Sequence, residues 1–135
     1  MYNWLRTKIS NFIIRYLEKP VWRYEPFSVN SAATLHMYLE KGDILLVEGN
    51  QRISSIIKYL TQSTWSHASI YVGDKVGTNE GGELLCLIEA SSEGGVHAVP
   101  LSKYNHFNSR ICRPVGLNKK EKEAVVQFVI SSIGI

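Results

Sequence analysis

Two short apolar runs, residues 68–72 and 84–90, flank the glycine-rich stretch 73–82, and this arrangement most constrains the fold. Each run is too short for a stable helix, and the polar, glycine-bearing segment between them is a turn signal. The three segments together predict a long-looped β-hairpin. The apolar run at 43–48 predicts a further buried strand, and residues 96–99 and 110–115 predict two more, separated by turns such as 91–95. Helical spacing brackets these strands. Leu5, Ile9, Phe12, Ile13, Tyr16 and Leu17 form a stripe over residues 3–18 that Pro20 ends. Residues 31–40 predict a short second helix after a connecting loop at 20–31. Residues 52–60 carry Ile53, Ile56, Ile57 and Leu60 on one helical face. Asn118 and Glu121 have the spacing of a capping box for a last helix at 119–133. Its stripe is Ala124, Val125, Phe128 and Val129, and Gly134 stands at its end. The pattern is that of an α+β domain with an antiparallel sheet of short strands packed by helices.

A chain of 135 residues has room for one core. The reading divides it into an amphipathic helix with its loop at 1–30 and a domain at 31–135. The formal charge of +3 resides entirely in the first part: Arg6, Lys8, Arg15, Lys19 and Arg23 stand against Glu18 and Glu25, while residues 31–135 carry ten groups of each sign. So small an excess, without an aromatic-rich basic groove, excludes nucleic acid as a partner. It leaves two readings of the 3–18 helix: peripheral contact with a membrane surface or partner, aided by Trp4, or packing on its own domain. No signal peptide is evident, and no run approaches the ~20 apolar residues of a membrane span. Together with two unpaired cysteines, this points to a cytoplasmic, reducing location, at most peripheral to a membrane.

The candidate chemistry centres on His67, at the head of the hairpin's first strand, and Glu89, in its second. A register with His67 opposite Glu89 also sets Ser69 opposite Leu87 and Tyr71 opposite Leu85, and places the loop at 74–82. Equal parity then puts His67 and Glu89 on one face, their Cβ atoms about 5 Å apart. A slip of two residues keeps the face and is expected to lose the contact. At contact distance a carboxylate holds an imidazole in one tautomer and raises its basicity. The same parity turns Cys86 to the opposite face, as a core residue. Cys112 lies on another strand between Arg110 and Arg113, which could lower a thiol's pKa, but neither a helix N-terminus nor an imidazolium accompanies it. His97 alternates within an apolar strand and is expected to face solvent. No metal-ligand spacing, cofactor motif or Gly-x-Ser-x-Gly elbow is present, so no metal or cofactor is expected.

The segments Gly42-Asp43-Ile44-Leu45-Leu46-Val47, Ile56-Ile57-Lys58-Tyr59-Leu60-Thr61 and Trp65-Ser66-His67-Ala68-Ser69-Ile70-Tyr71-Val72-Gly73 resemble the permuted papain-like hydrolases. These are the YiiX-like relatives of the NlpC-type cell-wall peptidases and of the lecithin:retinol acyltransferases. Leu87-Ile88-Glu89-Ala90, Gly95-Val96-His97, Pro100-Leu101 and Arg113-Pro114-Val115 continue the likeness over roughly residues 42–134. The resemblance implies a thiol-dependent hydrolase or acyltransferase acting on amide or ester bonds of cell-wall peptides or lipids, with His67 as base and Glu89 as its orienting group. It also implies a nucleophilic cysteine after the last helix. That cysteine is expected beyond Ile135, so the fold is expected to be C-terminally incomplete, prone to self-association, and inactive as these 135 residues alone. The alternative is a catalytically inactive binding module on the same scaffold.

Overall fold

The computed structural model describes residues 2–21, 31–92 and 94–135. Five antiparallel strands, β1 (Ile44–Val47), β2 (His67–Tyr71), β3 (Leu85–Ser91), β4 (Gly95–Pro100) and β5 (Ser109–Cys112), lie in the order β4-β3-β2-β1-β5. The helices are α1 (Tyr2–Leu17), α2 (Ala32–Tyr38), α3 (Arg52–Thr61) and α4 (Lys119–Ser131), with one turn of 3-10 helix at Leu101–Tyr104. The α+β expectation therefore holds. The connecting loop expected at 20–31 lies for the most part outside the described residues.

Alternation along the strands gives the sheet two apolar faces. On one, Leu45, Val47, Tyr71, Leu87 and Val99 pack with Leu35 of α2, with Leu39 just after it, and with Leu101 and Tyr104 from the 3-10 turn. On the other, Val72, Ile88, Val96 and Ala98 meet α4 through Val126, Val129 and Ile130. Asn118 caps α4 with its side-chain oxygen on the Glu121 amide, and the Glu121 carboxylate accepts from the Asn118 amide, completing the expected capping box. The buried stripe of α4 differs from the expected one: Val126 is fully buried whereas Phe128 is 72% exposed. Both sets of residues have helical spacing, and only the position of the sheet decides which faces it. Beyond α4 the chain runs along the outer edge of β4, with Gly134 N–H donating to Val96 and Val96 N–H to Ile135. Gly95, at φ +59°, must be glycine there, because a Cβ would collide with the Ile135 carbonyl.

The Gly42-Asp43 turn is a structural clamp. Asp43 is 1% exposed and its carboxylate accepts two bonds from Arg113, Nε–Oδ1 at 2.9 Å and Nη2–Oδ2 at 2.7 Å, plus the Glu40 amide at 2.8 Å. Burial works to raise the Asp43 pKa, but these donors outweigh it and hold it below the usual carboxylate value. The clamp joins the start of β1 to the chain beyond β5, fixing the half of the sheet next to β2.

Candidate active site

His67 and Glu89 meet, although not in the expected register. Ile70 pairs with Ile88 and Tyr71 with Leu87, two residues from the predicted alignment, which sets Ser69 rather than His67 opposite Glu89. The loop accounts for the slip: Thr78 bridges Leu84 and Leu85 N–H donates to Gly77, so the start of β3 bonds to the loop rather than pairing with Tyr71. A two-residue slip preserves the face. It also preserves the contact, contrary to expectation, because a diagonal neighbour on the same face lies within reach of a long side chain. His67 Nε2 stands 3.1 Å from Glu89 Oε2.

Glu89 is the hub. Its side chain is 1% exposed, accepts three hydrogen bonds and has a fourth polar group, His97, in contact. His67 and the Tyr104 hydroxyl address Oε2, while Lys103 Nζ and His97 Nε2 (3.3 Å) address Oε1. Burial pushes the carboxyl up, but the bonds from His67, Lys103 and Tyr104 pull harder and hold its pKa at about 2. The Tyr104 hydroxyl moves oppositely, its pKa raised by burial and by the neighbouring carboxylate. Glu89 is therefore an anion at any physiological pH.

His97 is a correction to the sequence reading, since it turns inward onto Glu89 instead of out to solvent. Glu89 and His97 are direct partners across the β3–β4 hairpin, and the 91–95 turn, read as a hairpin, would have indicated this pairing. Lys103 and Tyr104 lie on the 3-10 turn after β4, where no periodicity marks them. Their approach follows from the burial of Leu101 and Tyr104 against β3.

The site opens into a cavity of about 360 Å³. His67, Glu89, Lys103 and Tyr104 form its polar end, Ile53 and Ile57 of α3 and Phe107 form apolar wall, and Ile14 and Leu17 of α1, with Glu18 just after it, close one side. The chain at Gly49 lies close beneath: its N–H donates to Ser66 Oγ at 3.0 Å, and a Cβ there would strike Ser54 Oγ. The predicted apolar face of α3 is thus divided, Ile53 and Ile57 lining the cavity while Ile56 and Leu60 are exposed. Among the described residues no group of three or more His, Cys, Asp or Glu is placed to hold a metal ion.

Neither cysteine serves this cavity. A bulge between Leu85 and Leu87 breaks the alternation of β3, so Cys86 joins the core with Leu87 and Leu101 rather than pointing to the opposite face. It remains buried, three residues or about 10 Å along the strand from Glu89. Cys112 pairs with Ile44 whereas His67 pairs with Val47, so their side chains leave opposite faces of the sheet. Two strand spacings and three residues put Cys112 about 14 Å from His67.

An antiparallel α+β sheet with a histidine heading one strand, a buried carboxylate on the next and a cavity beside them has the plan of a papain-like hydrolase with its elements permuted. Residues 38–135 match the family model of the permuted papain-like amidase enzymes, YaeF/YiiX, C92 family, and the chain belongs to that family. Its chemistry is the hydrolysis of amide bonds. No curated protein matches the chain.

Proposed function

We propose that this domain hydrolyses or transfers acyl groups from amide or ester bonds by thiol chemistry, with His67 as the base and Glu89 as the group that orients it. The supporting observation is the 3.1 Å contact between His67 Nε2 and a buried, ionised Glu89 at the cavity. With Nε2–H donating to Glu89, Nδ1 is the nitrogen left to accept a proton. A cysteine from outside these 135 residues supplies the nucleophile. Its S–H proton passes to Nδ1, and the thiolate adds to the acyl carbon while the carbonyl electrons move to oxygen. Collapse expels the amine or alcohol, which takes the proton back from Nδ1. Water, or a second acceptor, then gives a proton to Nδ1 and adds to the thioester, and the expelled thiolate takes that proton back from Nδ1. Glu89 stabilises the imidazolium in both halves without itself taking the proton. A peptide and a lipid both satisfy this scheme.

The test uses the protein isolated from its native source. Intact mass above 15.3 kDa, together with one cysteine other than Cys86 and Cys112 that iodoacetamide labels rapidly at neutral pH, supports the proposal. His67→Ala then slows that labelling and abolishes amide cleavage. A mass equal to that of these residues, with neither thiol reacting faster than free cysteine, overturns it in favour of a non-catalytic binding module.

A further inference from the structure

The apolar stripe of α1 faces away from the protein. At 100° per residue, Leu5, Ile9, Phe12, Ile13 and Tyr16 fall within an arc of about 100°, whereas Ile14, Leu17 and Glu18, which wall the cavity, centre about 145° away. These five of the six stripe residues are exposed, Phe12 to 72%, while the sixth, Leu17, reaches the cavity. Of the two sequence readings, packing of the stripe on the domain is therefore the one the structure does not support.

The rest of the helix fits one occupant. The stripe is bordered by Arg6 on one side and by Lys8 and Arg15 on the other, with no acidic residue before Glu18. Lys8 Nζ lies 4.2 Å from the centre of the exposed Trp4 ring. At the far end Arg52 of α3 lies 4.1 Å over Tyr16, and one turn further along α3 the side chains of Ile56, Tyr59 and Leu60 are also exposed. Aromatic and aliphatic groups flanked on both sides by cations match the layering of acyl region and phosphates at an anionic bilayer surface. A protein partner would need acidic groups bracketing an apolar groove on both sides, a pattern any anionic lipid surface offers without design.

We infer that α1 lies in the plane of an anionic membrane surface, stripe inward, as a peripheral anchor. The helix end nearest the site is fixed to the domain: Arg52 Nη1 donates to Tyr16, Arg52 N–H to Lys19, Val21 N–H to Asn50, and Ser92 Oγ to Glu18. Because the opposite side of α1 walls the cavity, docking holds the His67 cavity about one helix diameter, about 10 Å, from the acyl boundary. This inference is independent of whether His67 acts as a base.

The full protein is to be floated with vesicles of phosphatidylcholine alone and of phosphatidylcholine mixed with phosphatidylglycerol. It should associate with the anionic vesicles only, and release as salt rises. Phe12→Asp and Ile9→Asp should abolish association while leaving the thermal midpoint unchanged, since both side chains are already in solvent. Arg6→Gln, Lys8→Gln and Arg15→Gln combined should weaken it about a hundredfold. Flotation indifferent to the stripe variants overturns the inference. So does a concentration-dependent dimer that Phe12→Asp disperses while neither vesicle binds, which would make a second copy the occupant.

Discussion

Glu89→Gln tests the electrostatic centre of the site directly. Folded Glu89 ionises at about 2 against an ordinary 4.5, because its donors outweigh the penalty of burial. That difference corresponds to about 3 kcal/mol of stability, on the order of a third of what a domain of this size holds. The depressed pKa sets the sign. Above pH 4.5 the carboxylate is ionised in both folded and unfolded chains and the contribution is complete. As pH falls towards about 2 the unfolded chain takes up the proton first, and the contribution disappears. Glutamine cannot ionise and leaves Lys103 and Tyr104 facing an amide. At neutral pH the variant should therefore be less stable by about 3–5 kcal/mol. Urea unfolding of both proteins from about pH 7 to about pH 2 isolates the effect, since other carboxylates titrate in each and cancel in the difference. The two stability curves should converge by about 3 kcal/mol below pH 4.5. Parallel curves would refute the argument that a buried anion is held there by its donors.

Three further outcomes follow from packing and exposure. Asp43→Ala removes a buried carboxylate with three hydrogen bonds and should cost about 3 kcal/mol in chemical denaturation at neutral pH, a difference that narrows as acid protonates Asp43 in the parent protein, because the Asp43 pKa lies low in the fold. Val126→Ala should cost about 2 kcal/mol, whereas Phe128→Ala on the same helix should change stability by less than about 0.5 kcal/mol. Equal effects would mean that α4 is rotated. In the native protein Ellman's reagent should titrate Cys112 and leave Cys86 untouched until denaturant is added, because burial both shields the Cys86 thiol and pushes its pKa up.

What could be read from the residues was mostly local. The capping box of α4 involves residues three apart, and the hairpin around the 73–82 glycines follows from turn chemistry, so both were legible. The pairing of His67 with Glu89 was legible only in part. Parity gave the shared face, but the register depended on whether Leu85 pairs with Tyr71, and the Thr78–Leu84 bridge with the Leu85–Gly77 bond ties that end of β3 to the loop instead. The bulge at Cys86 was invisible for the same reason: alternation is a rule about regular strands, and one inserted residue reverses it. Lys103 and Tyr104 carried no signal, since a single 3-10 turn has no period to detect.

The helices expose a more general gap between pattern and placement. An apolar stripe records which side of a helix avoids water, not what it avoids water against. In α4 the stripe read from the sequence and the buried one overlap only at Val129, because an apolar helix offers more than one arc to a sheet. In α3 one apolar face is shared between the cavity and solvent. In α1 the departure is larger, since five of the six stripe residues are exposed and only Leu17 joins Ile14 and Glu18 at the site. A helix that buried its stripe on the domain would turn Arg6, Lys8 and Arg15 outward as an ordinary solvated face. With the stripe outward, those same cations border it on both sides. The orientation of α1, which no periodicity could supply, is what converts a weak basic bias at the N-terminus into a specific statement about a surface.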